Sequence, residues 1–519
     1  MADATFKPYQ QNQLRLLPLD LSEMIPQDHM VRVVDEIVES LDLSNLKALY
    51  PGGGAPAYDP RMMLKVIIFA YASGIYSSRK ISEATRSNIY FLWLTGCVSL
   101  DHMTINRFRC ERLAEAFEDI FTDTVLVLAK RNLITLDTYF LDGTKIEANA
   151  NPYTFTWKKS VEKYRDKLRA RIGELMGEID ALNDEEDRIC ENLPAPEVVT
   201  SEDIAELKRR IDERLKNNPK NKGLSSKSKK IESDYLPRMI RYEQDLHDMG
   251  ERNSLSKTDR DATFMRMKED RMGNGQLKAA YNIQNGTENQ FVVHTTVHQR
   301  PGDPGCMKPH LESLEKSLGH IPARMVADAG YGSEENYEYL EEKEVLPFVK
   351  YHLFHKEQKK AFKQDPTQVA NWQYDKDADQ YICTEGRTLS FVGEKTKKSD
   401  LGYTSTTRIY TCSDCSGCSH ASKCLRQGAK ARSVHVNTRL DALRKKAHDL
   451  LVSDEGIILR KRRSTDVETV FGDIKRNWNF KGFTLRGLDK VTHEWRLLMM
   501  GHNIRKLTYA LQSQKAALS

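Results

Sequence analysis

Hydrophobic positions recur at helical spacing through residues 1–130. The stretch YDPRMMLKVIIFAYASG, residues 58–74, combines Asp59 as a helix N-cap, Pro60 in the first turn and Gly74 as a stop signal. Two further amphipathic runs follow it, SSRKISEATRSNIYFLWLTG and SLDHMTINRFRCERLAEAFEDIF. We therefore predict an N-terminal helical domain over residues 1–130.

Two longer helical stripes lie between residues 158 and 256. Apolar positions from Val161 to Leu182, and again from Ile231 to Met249, are separated by three or four residues, close to coiled-coil spacing. A shorter helical piece and a basic segment lie between the stripes. The pattern predicts an antiparallel helical insertion over 158–256. Its charges fit a solvated face better than a binding surface.

Strand patterns occupy the intervening segments. Residues 133–147, LITLDTYFLDGTKIE, are β-branched and aromatic, and residues 275–301 alternate on both sides of Asn285-Gly286, a dipeptide typical of tight hairpin turns. Short strands are predicted at 322–328 and in VLPFVKY, each after a helix. This order predicts a mixed α/β sheet built from 131–157, 257–375 and 441–519. Residues 376–440, rich in Thr, Ser, Gly, Lys and Cys, are predicted to form a separate insertion.

Composition narrows the class of protein. The chain has 519 residues, of which 39% are hydrophobic and 29% charged, so more than one core is expected. No run of 18 apolar residues is present, so no membrane association is expected, and the polar start MADATFKPYQQNQ favours a cytoplasmic location. The net charge of +5 says little about nucleic acid. The N-terminal helices carry short basic faces, to which Arg107 and Arg109 contribute. Two interpretations of these helices fit the pattern, a solvated bundle and a helix-turn-helix-like DNA-binding domain.

Two carboxylates stand on predicted strands, Asp142 inside or at the end of its strand and Asp328 at the end. Asp142 follows TYFL and Asp328 follows MVA, and strand ends in an open α/β sheet face a common crevice. A third acid, Glu468, lies on the helix STDVETVFGDIKRNW, with Lys475 two turns, about 10 Å, along the same face. Two or three carboxylates with water and substrate phosphate suit Mg²⁺.

A structural role is the stronger explanation for any one of these acids alone. Asp142 and Asp328 could be turn residues, and Thr465-Asp-Val-Glu468 is also a good capping box. Three such acids together with a basic helix favour a catalytic metal site instead.

Four of the nine cysteines crowd into one short run, Cys412, Cys415, Cys418 and Cys424. Four thiolates at this spacing suit tetrahedral Zn²⁺. The run partly resembles an iron–sulfur motif, but its last gap is five residues and no proline follows Cys424. An iron–sulfur cluster and the absence of any metal are the alternatives. Cys383 and His420 are possible substitute ligands.

Several stretches resemble the bacterial insertion-sequence transposases of the DDE class: YDPRMMLKVIIFAYASGIYSSRKI, DHMTINRFR, DGTKIEANAN, SKTDRDATFMRMKED, VADAGYGS and VETVFGDIKRNWNFKGFTLRGLDKV. The resemblance runs nearly end to end. It implies an α/β, RNase H-like mixed sheet core with an N-terminal helical domain, a helical insertion and a Cys-rich insertion. It also implies Asp142, Asp328 and Glu468 as ligands of Mg²⁺ or Mn²⁺, and Lys475 as a contact to the transposon end.

Related enzymes often carry an arginine four residues before the glutamate, but here that position is Ser464 and its neighbour is Arg463. Arg463, Arg476, Arg107 and Arg109 are the further candidates for contacts to DNA. The implied function is cutting and joining the ends of an insertion sequence, with double-stranded DNA, terminal inverted repeats and target DNA as partners and a homodimer as the active form. The competing possibilities are a transposase-derived DNA-binding protein without catalysis and an RNase H-like nuclease that only hydrolyses.

Overall fold

The computed structural model of the chain describes residues 20–50, 56–181, 189–190, 193–217, 219–267, 276–399 and 401–518. The polar start and Leu182 of the first helical stripe lie outside these ranges. Contacts divide the chain into two compact units, Leu128–Trp495 and a second unit made of Met1–Val127 with Arg496–Ser519. Within the described part of the chain, no helix combines the length and the apolar character needed to cross a membrane.

Helices form the N-terminal segment, as predicted. They are α1 (Met30–Ser40), α2 (Ser44–Ala48), α3 (Pro60–Ala72), α4 (Ser78–Ser87), α5 (Ile89–Thr95), α6 (His102–Arg107) and α7 (Leu113–Lys130). Helix α3 begins where the sequence indicates, because the Asp59 carboxylate accepts the free N–H groups of Arg61 and Met62. Almost every residue of α3 from Met63 onward is buried, so this helix forms the centre of its unit.

The larger unit contains a mixed sheet. Its chain supplies β1 (Thr138–Glu147), β2 (Phe155–Trp157), β3 (Ser254–Ser256), β4 (Thr263–Arg266), β5 (Leu277–Glu288), β6 (Phe291–His298), β7 (Arg324–Ala327) and β8 (Leu346–Val349). The main sheet has the order β4-β5-β1-β7-β8, and β6 pairs with the rest of β5. Strand β1 is antiparallel to β5 and parallel to β7, which is parallel to β8.

The hairpin of this sheet turns four residues later than the sequence indicates. Asn285 and Gly286 lie inside β5, and the turn is made by Asn289 and Gln290, both with positive φ. The prediction of an Asn285-Gly286 turn is therefore wrong. The reason is tertiary: Asn285 Oδ1 accepts a hydrogen bond from the Trp495 indole at 3.0 Å, and Gly286 leaves the space that the Tyr139 ring fills.

A helical segment leaves and rejoins the unit at the antiparallel pair β2–β3. Its helices are α8 (Lys158–Asp180), α9 (Ser201–Asn217), α10 (Lys222–Lys230) and α11 (Leu236–Met249), with a π-helical turn at Ile231–Tyr235. The predicted stripes bury a shared core that includes Leu168, Ile172 and Met239. Tyr164 departs from its stripe and is exposed.

Helices α12 (Met307–Leu318) and α13 (Glu334–Glu342) alternate with β7 and β8, and two short helices follow, α14 (Phe354–Glu357) and α15 (Lys360–Lys363). A second, antiparallel sheet then forms from β9 (Gln373–Asp375), β10 (Gln380–Ile382), β11 (Thr388–Lys398), β12 (Thr404–Cys412) and β13 (Ser433–Val436), with α16 (Ala421–Cys424) before the last strand. It has a small core of its own around Trp372, Leu389 and Tyr410.

The chain ends in helices. They are α17 (Thr438–Val452), α18 (Asp454–Arg463), α19 (Thr469–Gly472) and α20 (Leu488–Leu518), with π-helical turns at Ser464–Glu468 and Asp473–Asn477. The contact units group Arg496–Ser519 with the N-terminal helices, whereas the sequence placed all of 441–519 with the sheet. Within that unit Gly501 allows close approach, since an added Cβ would lie 2.8 Å from the Ala72 nitrogen. A helical period does not reveal which neighbour a helix packs against.

Candidate active site

Three neighbouring parallel strands lie side by side at one level of the main sheet, where β7 and β8 end and β1 continues to Glu147. The register pairs Leu141 with Ala327 and Ala327 with Val349. The next residue of each strand is therefore Asp142, Asp328 or Lys350, at corresponding positions of β1, β7 and β8. Two carboxylates and one ammonium group thus share a strand-end edge, where open α/β sheets form their ligand sites.

Asp142 is buried at this edge, and the glycine after it makes room for its surroundings. The Gly143 N–H donates to Asp142 Oδ1 at 2.8 Å. A Cβ added to Gly143 would lie 2.5 Å from Gln284 Nε2 and 2.7 Å from Asp303 Oδ1. Gln284 Nε2 in turn donates to Asp303 Oδ1 at 3.2 Å. The Gly143 backbone is therefore held against a polar layer that only glycine admits.

The buried strand β7 is followed directly by Asp328, and the structure shows two reasons for a carboxylate at this position. Its side chain caps the following 3₁₀ turn, Ala329–Tyr331, by accepting the Gly330 N–H at 2.8 Å. The side chain remains 39% exposed, so the carboxylate keeps water on one side and avoids the cost of full burial. The structure therefore confirms the turn role of Asp328, and that role leaves its other carboxylate oxygen free to face Arg463.

Glu468 does not lie at a helix start. The helix begins at Asp454, with Ser453 as its N-cap, and continues through the π-helical turn that Glu468 closes. The capping-box alternative at Thr465 is therefore excluded. Val467 and Val470 are buried, whereas the Glu468 side chain is 58% exposed, in agreement with the predicted polar face.

The π-helical turn brings Arg463 to the same side as Glu468. Residues five apart are about 140° apart around a regular α-helix of 3.6 residues per turn. A π-helical turn closes its hydrogen bonds between residues five apart, and such turns are frequent at functional sites. The turn Ser464–Glu468 therefore lets Arg463 face the strand-end acids beside Glu468, although it lies one position from where the resemblance expects an arginine.

One guanidinium contacts all three acids. Arg463 Nη2 lies 3.1 Å from Asp142 Oδ2 and 3.7 Å from Asp328 Oδ2. Arg463 Nη1 lies 3.6 Å from Glu468 Oε1. The arginine side chain is only 11% exposed. Because the two aspartate oxygens contact the same nitrogen, their separation cannot exceed the sum of those two distances. The predicted catalytic acids therefore converge in one cleft.

The donor chemistry of this cleft suits a hard divalent cation. Carboxylate oxygens are the ligands of Mg²⁺ and Mn²⁺, and three carboxylates here contact one guanidinium group. In the described part of the chain, no group of three or more His, Cys, Asp or Glu side chains has an arrangement that would hold a metal ion. Arg463 lies among the three carboxylates as their counter-charge, so cation binding requires this guanidinium to move aside.

Sequence reasoning missed two polar residues of the site. Asp303 lies on the loop after β6 and accepts from Asn282 Nδ2 at 2.9 Å and from Gln284 Nε2. Lys350 follows β8, and its amide donates to Ala327 O at 3.3 Å. The signal for Lys350 was present, because it is the polar residue that ends the strand pattern VLPFV, as Asp328 ends MVA.

The predicted DNA contacts have different environments. Arg476 and Arg107 are exposed and Lys475 is half-buried. Arg109 is buried, and its guanidinium donates to Tyr71 Oη at 3.1 Å, to the Tyr76 carbonyl at 2.9 Å and to Asn106. The interpretation of Arg109 as a DNA contact therefore does not hold, because its donors are used inside the helical unit. Arg463 faces the acids and not the outer surface.

The cysteine run shares a pocket with a more distant cysteine. Cys412, Cys415, Cys418 and Cys424 line a cavity of about 20 Å³ together with Cys383, which follows β10. Burial raises the pKa of Cys412 and of Cys424, so both favour the thiol form. All five are free cysteines. The structure therefore brings one of the two suggested substitute ligands to the run.

Two family models match the chain. The Transposase DDE domain matches residues 382–508, and the Transposase domain (DUF772) matches residues 19–111. No curated protein matches it. The first match contains the helix with Arg463 and Glu468 and implies an RNase H-like fold, and the second covers most of the N-terminal helices. Matches to two transposase domains, together with three acids that meet in one cleft, identify the chain as a DNA transposase of the DDE class.

Proposed function

We propose that Asp142, Asp328 and Glu468 are the metal-binding catalytic residues with which the chain cuts and joins the ends of an insertion sequence. The observation that carries this proposal is their convergence on one guanidinium. Magnesium or manganese bound in pairs supplies a polarised nucleophile and stabilises the leaving oxygen of a phosphodiester. The carboxylates of this chain would hold such ions through oxygen, which is the donor that both prefer.

The chain's own residues orient the reaction. Asp142 is held by strand pairing and Asp328 by its position directly after β7, and the Gly143 and Gly330 amides donate to one oxygen of each. Glu468 comes from a helix and is the most exposed of the three acids, so its side chain is the one most able to adjust when DNA enters. Water attacks first and frees a 3′-hydroxyl, which then attacks a second phosphodiester of the target.

The partners follow from the chemistry. Double-stranded DNA with the terminal inverted repeats of the element, and then target DNA, are the substrates, so the protein acts in the cytoplasm on the nucleoid. We assign Lys475, Arg476 and Arg107 as phosphate contacts, in keeping with their exposed or half-buried positions. A homodimer is proposed because two element ends must be cut together. The segments 158–256 and 376–440 are proposed as insertions into the RNase H-like core.

The variant Glu468→Gln tests the catalytic assignment. It removes a charged ligand while keeping the size of a half-solvated side chain, so we expect normal folding and end binding with loss of Mg²⁺-dependent strand cleavage. Arg462→Gln, on the preceding turn, is the matched control and should cleave normally. Cleavage by Glu468→Gln near the wild-type rate would remove Glu468 from the site.

The same assay separates the competing functions. Purified protein is incubated with Mg²⁺ and DNA that carries the repeats flanking the element. A transposase yields both nicked ends and strand-transfer products, a hydrolytic nuclease yields nicks without transfer, and a transposase-derived binding protein yields neither.

We also propose a structural zinc ion at the cysteine run, with Cys383 available as a fifth thiol. Ligand thiols must lose their protons to bind metal, and burial keeps Cys412 and Cys424 protonated in the metal-free chain. Cys412 ends β12, Cys424 lies on α16 and the other three cysteines lie on loops, and all five line one cavity. Their present arrangement in the described part of the chain does not hold a metal, so formation of a tetrahedral site would require the loops to rearrange.

Elemental analysis of the purified protein tests this zinc site. We expect about one zinc ion per chain, lost in Cys415→Ser and retained in Cys97→Ser, whose thiol is exposed and lies outside the pocket. Iron with sulfide absorbance, or no metal in the wild-type protein, would overturn the proposal.

A further inference from the structure

Lys350 lies beside the catalytic acids on the neighbouring strand. Its amide donates to Ala327 O at 3.3 Å, so the pairing of β7 and β8 continues one residue past β8. That places the backbone of Lys350 next to that of Asp328. A residue at a strand end of this kind is fixed by the sheet and not by a loop.

Its surroundings carry both signs of charge. Burial, then the guanidinium groups of Arg463 and Arg460, lower the pKa of Lys350, whereas Asp328 and Glu468 act in the opposite direction. The side chain is half-buried. Within the described ranges, no acidic side chain lies within 4 Å of the Lys350 ammonium, and no hydrogen bond is made by it. A partly desolvated ammonium next to other cations is unfavourable unless an anion can reach it.

The neighbouring cations, Arg463 and Arg460, already contact other side chains. Arg463 contacts the three acids, and the Arg460 guanidinium lies 5.1 Å from the centre of the Phe354 ring. Among these cations, Lys350 is the one at a strand end beside Asp328, and its ammonium pairs with no acidic side chain in the described ranges. A lysine of this kind acts as a compact point charge toward a phosphate oxygen.

We propose that Lys350 contacts a phosphate of the DNA strand that enters the acid cluster, on the side of Asp328. This inference rests on the proposed function, since it requires DNA at the cleft. Lys350 holds the substrate and takes no part in bond making or breaking. It is a positioning residue for the phosphodiester, and its position directly after β8 sets how the DNA strand lies across β1, β7 and β8.

Salt dependence of binding tests the contact without requiring cleavage. DNA carrying the repeats that flank the element is titrated in Ca²⁺ at several salt concentrations. We expect Lys350→Ala to weaken binding and to reduce the slope of log affinity against log salt by about one. Lys350→Arg should retain the slope, because it keeps the charge. Lys316→Ala, an exposed lysine on α12, removes the same charge elsewhere and serves as the control.

A set of end DNAs, each with one neutral methylphosphonate, locates the contact. In the wild-type protein, each contacted phosphate gives a loss of affinity when neutralised. In Lys350→Ala, neutralising one of these phosphates should no longer weaken binding. In Lys316→Ala and in Glu468→Gln, neutralising the same phosphate should still weaken it. Unchanged salt slopes, or a full set of losses in Lys350→Ala, would overturn the proposal.

The two proposals fail in different ways. Cleavage by Glu468→Gln would remove the catalytic assignment while leaving the salt slopes to report on Lys350. Circular dichroism and thermal unfolding of Lys350→Ala show whether the variant is folded, and Lys350→Gln provides a second neutral variant if it is not. A loss of binding with an unchanged salt slope in both neutral variants would assign Lys350 a structural role.

Discussion

Replacing Arg463 with glutamine should destabilise the metal-free protein and favour metal binding. The change removes the only positive charge that contacts Asp142, Asp328 and Glu468 together within the described ranges. Three carboxylates then share a cleft without that counter-charge. The neutral amide keeps most of the length of the side chain, so the loss is mainly of charge.

The magnitude follows from the exposure of each partner. The side chains of Arg463 and Asp142 are 11% and 12% exposed, and removing one member of a buried pair costs about 3–5 kcal/mol. Glu468 is 58% exposed, so its pair contributes about 0–1 kcal/mol. We expect the free energy of unfolding of Arg463→Gln to fall by about 3 kcal/mol, near the lower bound of this range. For a unit the size of Leu128–Trp495, this corresponds to a fall of about 4 °C in melting temperature.

Two measurements check the reasoning. Thermal unfolding in EDTA should show the loss, and added Mn²⁺ should restore more stability to Arg463→Gln than to wild type. Titration of Mn²⁺ by electron paramagnetic resonance should show roughly tenfold tighter binding without DNA, equivalent to about 1.4 kcal/mol, because the competing guanidinium is absent. Arg462→Gln is the control, since Arg462 contacts Asp466 and not the cluster. Unchanged stability in EDTA, or weaker Mn²⁺ binding, would refute the role of Arg463 as counter-charge.

Three further variants test the surrounding structure. Gly143→Ala should abolish cleavage and cost about 1–3 kcal/mol in urea unfolding, because its Cβ meets Gln284; an active, stable variant would contradict the packing. Gly177→Ala should raise the free energy of unfolding by about 1 kcal/mol, since this exposed helical glycine has open space where a Cβ would be added. A loss of stability would argue against the helix there. Burial and then Arg300 lower the pKa of His298 to about 4, whereas the unfolded chain protonates near 6.5, so stability should fall as pH drops from about 6.5 to 4. His298→Gln should reduce that fall by up to about 3 kcal/mol, and an identical pH profile would show that His298 is not buried neutral.

The parts that depend on local pattern were predictable. Asp59 and Pro60 specify the start of α3, and the end of β7 before Asp328 follows from an apolar run that stops on a carboxylate, whereas β1 continues past Asp142. Placing the two acids together required in addition that β1 and β7 be adjacent and parallel, with Leu141 paired with Ala327. The helical stripes likewise predict buried faces, with Tyr164 as the exception.

The parts that depend on distant contacts were not predictable. Asn285-Gly286 has the residues of a turn, yet the indole of Trp495, far along the chain, uses the Asn285 side chain within the strand. Arg109 has the charge of a DNA contact, yet its guanidinium is buried among the helices. No residue pattern announces a π-helical turn, so the alignment of Arg463 with Glu468 required the backbone.

The order of the site residues along the chain has a consequence during translation. Asp142 and Asp328 leave the ribosome first, and at about 5–20 residues per second the helix with Arg463 and Glu468 follows on the order of ten seconds later. A nascent chain therefore carries Asp142 and Asp328 but no complete cleft until that helix has been made. Under the proposed catalytic assignment of Glu468, gene copies interrupted before that helix would encode proteins unable to cut DNA.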